Sequence, residues 1–291
     1  MSLPRELVQC DICRVADEQF VSEAKSLYSE ERFRIVRCRH CSLVYVNPRQ
    51  DEAAKLAQLA SLATMGDIEE HQTRDGDVYR QILAEIGRHR GTGSLLDVGS
   101  ATGGLLREAR EAGWDVTGVE PAKQLAEFSA KTHGLRVYPG TLEEARFPDA
   151  SFDVIVMVHV IEHVYHPSRT VAEVFRILKP GGLFLSLTPD FHRYAVRAVQ
   201  RVGLLKDFDR LDPTAHPYYF TPKTHATLVK RQGFRVVRCG SPISGLFASR
   251  NGHRPSWVSQ ALRSAALPAV WASHLVPIGS TIHCLAQKPS P

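Results

Sequence analysis

Four cysteines stand as two pairs, Cys10 with Cys13 in CDIC and Cys38 with Cys41 in CRHC, separated by 24 residues within the first 48 of the chain. A two-residue spacing lets both thiolates of a pair turn to one side of a tight knuckle, and two knuckles supply the four sulfurs of a tetrahedral zinc site. Four thiolates close the coordination sphere, so the expected Zn2+ is structural and stabilises a unit too small for a core of its own. Four free thiols are the competing reading. His40 offers a substitute nitrogen, but its adjacency to Cys41 would strain the knuckle. Cys239 and Cys284 fall on expected strands and read as core residues.

A second constellation begins at LLDVGSATGG, where a buried strand ends in Asp97 and runs through Gly99, Ser100 and Gly103 into a helix. Glycines let the backbone bend sharply and bring a ligand close without a Cβ in the way. In open α/β sheets ligands bind beyond the carboxyl ends of the strands, where this turn is expected. The following strand ends in Glu120, before Pro121 and 23 residues after Asp97, where an acid can accept both hydroxyls of a ribose. Asp97 would repel a pyrophosphate and favour a cationic amino-acid end, which points away from a dinucleotide. A structural turn and a solvated surface acid are the competing readings.

Histidines form the third set. HVIEHVYHP places His159, Glu162, His163 and His166 just after a long apolar strand, and His216 lies in DPTAHPYYF. With an ordinary pKa of about 6.5, histidine suits proton transfer near neutral pH. His159 also reads as a packing residue, Glu162 as a brace for the next helix and His166 as a surface group. Tyr218, Tyr219 and Phe220 read equally as an aromatic lid or as packing beneath the following helix. A metal held by His159, His163 and His216 is a further arrangement.

Positioning these groups falls to an alternation that begins at Ser94. SLLDVG, WDVTGVE, LRVYPG, FDVIVMVHV and GLFLSLTP read as five strands, with helices over residues 103–112, 121–133 and 167–178 between them. Each crossover must return over the sheet, so the fold class is α/β, doubly wound and mostly parallel. TPKTHATLVKRQG reads as a further helix, and FRVVRCG with STIHCLAQKP as a last strand pair. Residues 51–87 and 190–213 carry helical patterns, and 241–279 form an insert with Trp257, Trp271 and little clear period.

The chain has 291 residues, 43% hydrophobic and 23% charged, which excludes disorder and collagen and allows one large domain with an accessory module. A net charge of +5, with no run of five basic residues, is too small for a nucleic-acid footprint. The N-terminus does not read as a secretory signal. Ala265 to Ile282 contains two prolines and a histidine, so no stable membrane insertion is expected. Reduced cysteines in a cytoplasmic protein are the expectation. Oligomeric state cannot be read from the sequence.

From Leu95 to Gly182 the chain resembles the class I S-adenosylmethionine-dependent methyltransferases, particularly the ubiquinone- and menaquinone-biosynthesis branch. LLDVGSATGG, GVEPA, YPGTLEEARFPDASFDVIVMVHVIEHV and RILKPGG occur in family order and spacing, with a weaker echo from His216 to Phe234. The resemblance implies a Rossmann-like seven-stranded sheet and S-adenosyl-L-methionine as cofactor. It implies that Asp97, Gly99, Ser100 and Gly103 line the methionine part, Glu120 and Pro121 the ribose, Thr141 and Leu142 the adenine, with His159 beside them. Family members often carry a glycine where Ala101 stands and an aspartate where Thr141 stands. His163 and His216 are the expected catalytic bases for a hydroxyl acceptor, since a sulfonium donor is already activated and the acceptor needs alignment and proton removal.

The expected organisation is a zinc-ribbon-like module over residues 1–48, a helical connector over 49–92, the cofactor domain over 93–240, and an insert with a final strand over 241–291. The leading functional reading is methylation of a small molecule, a natural product, sugar or quinone-like metabolite, with oxygen favoured over carbon. An RNA- or protein-directed enzyme that uses the zinc module for recognition is the first alternative. A non-catalytic cofactor-binding scaffold is the second.

Overall fold

A strand with neighbours on both sides and helices on both faces must be apolar throughout, and Val154, Ile155, Val156 and Met157 are fully buried for that reason. The computed structural model describes residues 4–26, 30–53, 76–191, 213–241 and 281–290. Residues 54–75 of the segment with a helical pattern over 51–87, most of the 190–213 segment and residues 242–279 of the insert, with Trp257 and Trp271, lie outside the described residues.

The N-terminal unit contains β1 (Arg5–Glu6), β2 (Glu18–Lys25), β3 (Arg32–Cys38), β4 (Val44–Val46) and β5 (Arg49–Gln50). After α1 (Gly76–Gly87), the alternation runs β6 (Ser94–Val98), α2 (Gly104–Glu111), β7 (Asp115–Glu120), α3 (Lys123–His133) and β8 (Val137–Pro139). It continues as β9 (Phe152–Val158), α4 (Pro167–Ile177) and β10 (Leu178–Pro189). The short β11 (Tyr218–Tyr219), α5 (Pro222–Arg231), β12 (Arg235–Gly240) and β13 (Thr281–Gln287) complete the described elements.

The large sheet has the order β12-β13-β10-β9-β6-β7-β8. Its five strands from β10 to β8 are parallel, whereas β13 runs antiparallel to both β10 and β12. This is the doubly wound, mostly parallel sheet that the alternation predicts, with the seven strands that the resemblance implies. From β6 the chain steps outward to β7 and β8, then crosses back to place β9 on the opposite side of β6. The carboxyl ends of β6 and β9 therefore flank a topological switch point, where open α/β sheets bind ligands. On one face Ile82 and Ile86 of α1 and Leu105, Leu106 and Ala109 of α2 pack with Leu95, Val154 and Leu185. Burying a side chain such as Ile82 stabilises the fold by about 1.5–3 kcal/mol.

A smaller sheet has the order β11-β4-β3-β2, so a strand from beyond β10 completes the sheet of the N-terminal unit. The two parts also share a core: Cys10, Ile12, Val36, Leu43 and Tyr45 pack in one cluster with Val171, Val174, Phe220 and Leu228. Asp11 ties them further, since the Ser168 backbone N–H donates to its carboxylate at 2.7 Å and the Ser168 hydroxyl donates to its carbonyl at 3.0 Å. A carboxylate in this position satisfies a free amide in the first turn of α4 and meets the positive end of the helix dipole. Among the described residues no helix is long and apolar enough to cross a membrane.

Candidate functional site

The two cysteine knuckles have the same backbone. The Arg14 amide donates to the Cys10 carbonyl at 2.7 Å and the Ser42 amide to that of Cys38 at 3.0 Å. Cys10 and Cys38 donate in turn to Val15 and Leu43, each at 2.9 Å, and Arg14 and Ser42 both take positive φ. Tight turns of this kind direct all four thiols inward: their sulfurs lie within 4.8 Å of one another, Cys10 Sγ and Cys41 Sγ at 3.5 Å. Tetrahedral Zn–S bonds of about 2.3 Å require sulfurs about 3.8 Å apart, so the four residues fit the ion. Burial and neighbouring sulfurs push the Cys13 thiol up to about 11, as expected of clustered thiols whose charge a cation must offset. His40 turns to Asp17 instead, at 3.1 Å.

At the switch point the chain turns at Gly99, whose φ is +76° and whose missing Cβ would lie 2.5 Å from Val160 Cγ2. That close approach brings the turn after β6 against the segment after β9. Glu120 braces the same turn, its Oε2 accepting from the Ala101 amide at 2.9 Å and its Oε1 from that of Ala122 at 2.8 Å. Each carboxylate oxygen retains acceptor capacity for a ribose hydroxyl. Asp97 is buried on the neighbouring strand, and among the described residues neither acid forms an ion pair with a basic side chain. Burial, reinforced by the charge of Glu120, pushes the Asp97 carboxyl up to about 8, and burial also raises Glu120. Two buried acids held apart from cations fit a ligand that brings a positive charge and hydroxyl donors.

The other expected cofactor positions follow the carboxyl ends of β6, β7 and β8. Ser100 is buried and its hydroxyl has no partner among the described residues, Gly103 takes φ +82° at the start of α2, and Pro121 is exposed beside Glu120. Leu142 is buried, while the Thr141 amide and hydroxyl donate to Glu144 at 2.8 Å and 3.1 Å. The Glu144 amide donates back to the Thr141 hydroxyl at 3.3 Å, so the two residues close a local turn.

The histidines converge around Glu162, which is 2% exposed. Its Oε2 accepts from Thr188 at 2.9 Å and its Oε1 lies 3.3 Å from His159 Nδ1. Burial alone would raise its pKa, but the His159 contact and the neighbouring His163 and His216 hold it down to about 2. The His163 and His216 rings lie 4.6 Å apart, and ligand atoms of Glu162, His163 and His216 fall within 4.8 Å of one another. His163 Nδ1 is 2.8 Å from the Ala215 carbonyl. A carbonyl can only accept, so Nδ1 carries the proton and, in the neutral ring, Nε2 holds the lone pair. His159 sits at φ +56°, a left-handed conformation uncommon outside glycine, and its ring is partly exposed. His166 stands apart, 3.4 Å from Glu52.

The sequence reads Glu162 as a brace for the next helix; in the structure it accepts from Thr188 on β10 and lies beside His159. Tyr218, Tyr219 and Phe220 are buried, which overturns the aromatic-lid reading and leaves the packing one. Arg49, Asp11 and Thr188 carry no local motif, and only their tertiary partners reveal them.

A family profile described as a methyltransferase domain matches residues 69–238. A probable S-adenosylmethionine-dependent methyltransferase of Mycolicibacterium smegmatis is 42% identical over 66 residues, covering 23% of this chain and 26% of that protein. The ubiquinone biosynthesis O-methyltransferase of Nitrosococcus oceani is 34% identical over 112 residues, covering 35% of this chain and 48% of that protein. The chain thus matches about a quarter and about half of these relatives' lengths. A crystal structure of a SAM-dependent methyltransferase from Archaeoglobus fulgidus shares the fold, with TM-score 0.53 and 16% identity, covering 77% of this chain and all of that one.

Proposed function

The chain belongs to the methyltransferase-domain family, of the class I S-adenosylmethionine-dependent type, and we propose that it transfers a methyl group to a small-molecule acceptor. The observation that carries this reading is the pair of buried acids at the switch point, Asp97 and Glu120, beside a turn in which Gly99 and Gly103 take positive φ. The cofactor supplies an electrophilic methyl on a positively charged sulfur. Asp97 would hold the ammonium of its methionine part, Glu120 and Pro121 its ribose, and Ser100, Thr141, Leu142 and His159 its remaining edges.

For a hydroxyl acceptor, the oxygen forms the new bond to carbon as the carbon–sulfur bond breaks, and the hydroxyl proton must leave. His163 Nε2 is the candidate acceptor of that proton, because the Ala215 carbonyl fixes its tautomer. His216 stands beside it, and the buried carboxylate of Glu162 stabilises the imidazolium that forms. Oxygen is favoured over carbon because the Nitrosococcus relative is named for O-methylation. A second reading rests on the convergence of Glu162, His163 and His216: two imidazoles and a carboxylate suit a divalent cation, and a ligating histidine commonly donates its other N–H to a carbonyl.

Residues 1–48 would hold a structural zinc on Cys10, Cys13, Cys38 and Cys41 and form one wall of the acceptor site. Residues 49–92 connect it to the cofactor domain over 93–240, and 241–291 complete that domain. The test is His163→Ala and His216→Ala, with release of S-adenosylhomocysteine measured against a metabolite extract and cofactor affinity measured separately. Lost turnover at unchanged affinity supports the reading. Full turnover in both variants overturns the role of the histidines, and turnover only with RNA or protein added overturns the small-molecule acceptor.

A further inference from the structure

Arg49 lies on β5 in the N-terminal unit, away from the switch point, and its side chain is 3% exposed. Its Nε donates to Glu6 at 2.8 Å. Its Nη1 donates to two acceptors from other parts of the fold, the Tyr165 carbonyl at 2.7 Å and the Tyr218 hydroxyl at 2.8 Å. The Tyr218 hydroxyl donates in turn to the same Tyr165 carbonyl at 3.0 Å, and the guanidinium lies 4.5 Å over the Tyr165 ring. One buried cation therefore fastens the segment after β9 to β11.

The two segments it fastens are the ones that carry the paired histidines. His163 lies two residues before Tyr165, and His216 two residues before Tyr218. Between the fastened ends the segments meet again only two residues away, where His163 bonds to the Ala215 carbonyl and its ring lies 4.6 Å from that of His216. A planar guanidinium has donors in fixed directions and binds two acceptors at a fixed separation, which an ammonium on a flexible stem does not reproduce. Burying the charge without those acceptors would be costly, so the contacts are retained as a set.

We propose that Arg49 is a positioning residue for the His163–His216 pair: from the N-terminal unit it sets the separation and orientation of the two imidazoles. The proposal rests on the reading that this pair acts on the acceptor, yet the geometry can be tested without any acceptor.

Imidazole NMR of the full chain, without cofactor, gives two signals to follow. One is the His163 Nδ1–H proton, sheltered by the Ala215 carbonyl, and the other is the nuclear Overhauser contact between the two rings. Arg49→Lys keeps the charge and loses the two-acceptor geometry. Tyr218→Phe removes only the hydroxyl link and serves if the lysine variant does not fold. The expected result is loss of both signals with S-adenosylhomocysteine affinity unchanged, since Arg49 bonds to none of the expected cofactor residues. Both signals persisting in a folded variant overturns the proposal, as does equal loss of cofactor affinity, which marks a general structural role. If His163→Ala and His216→Ala retain full turnover while these signals still depend on Arg49, the catalytic reading fails and the positioning finding stands.

Discussion

Tyr218 pairs with Tyr45 across two antiparallel strands, their rings 6.4 Å apart, so the segment carrying His216 ends as a strand of the N-terminal sheet. The N-terminal unit is therefore joined by strand pairing to the segment that carries His216. Asp11 on α4, Arg49 on Tyr165 and the shared cluster around Tyr45 all fasten the same seam.

Zinc removal should then be felt well beyond the first 48 residues. Purified under reducing conditions, the protein is expected to hold one equivalent of zinc, and chelation or Cys38→Ser should lower the melting temperature and weaken the His163–Ala215 contact together. Structural zinc contributes on the order of 10 kcal/mol to small domains of this type, so partial retention of stability would reflect the core shared with α4 and α5. Metal analysis decides the matter: less than about a tenth of an equivalent refutes the site, because a four-thiolate site does not lose its ion readily.

Much of this architecture was legible because it obeys local rules. Glycines at 99 and 103, the acids ending two successive strands and the Cys-x-x-Cys spacing are each dictated within a few residues, and FDVIVMVHV is apolar because β9 is covered on both faces. What escaped depends on long-range pairing. Glu162 looks like any acid at the start of a helix until Thr188 closes on it from β10, and Arg49 looks like a surface arginine until residues 116 and 169 positions away supply its acceptors. The aromatics of β11 carried no signal of which way they faced. They turn inward because β4 offers an unpaired edge to β11.

The close approach at Gly99 should be measurable as strain. Gly99→Ala places a methyl group 2.5 Å from Val160 Cγ2 at a backbone angle that side chains avoid, so a loss of about 1–3 kcal/mol is expected. Adding Val160→Ala should restore the steric part of that loss and leave the conformational part. Urea midpoints for the two single variants and the double variant check this, and strictly additive losses would contradict the contact.

Acid stability should depend on Asp153. Burial works against its charge, but Lys179 and Arg90 at 2.8 Å, together with the Ser94 amide and hydroxyl, hold its pKa down to about 2. Its folded pKa lies below the unfolded one, so the stabilisation is present above about pH 4 and is lost as pH falls toward 2. A shift of this size corresponds to about 2 kcal/mol. Asp153→Asn should therefore destabilise the protein at neutral pH and converge with the parent in acid, as followed by denaturant midpoints across that range. A difference that stays constant down to pH 2 would assign the loss to packing.

Cofactor binding is expected to be proton-linked through Asp97. Its carboxyl is raised to about 8 by burial and by Glu120, so near pH 7 the free protein holds it mostly neutral. An ammonium group placed against it favours the ionised form, so binding must expel a proton. The affinity for S-adenosylhomocysteine should rise with pH by up to about tenfold per unit between about pH 6 and pH 7.5, below the range where the ligand's own amine titrates. Calorimetry in two buffers of different ionisation enthalpy counts that proton directly. Asp97→Asn should bind more weakly and with no such slope, because its amide neither titrates nor meets an ammonium as an anion. Proton release that persists in Asp97→Asn would transfer the linkage to Glu120, whose carboxyl burial also raises. An affinity independent of pH in the parent protein would mean that the cofactor's charged end does not reach Asp97.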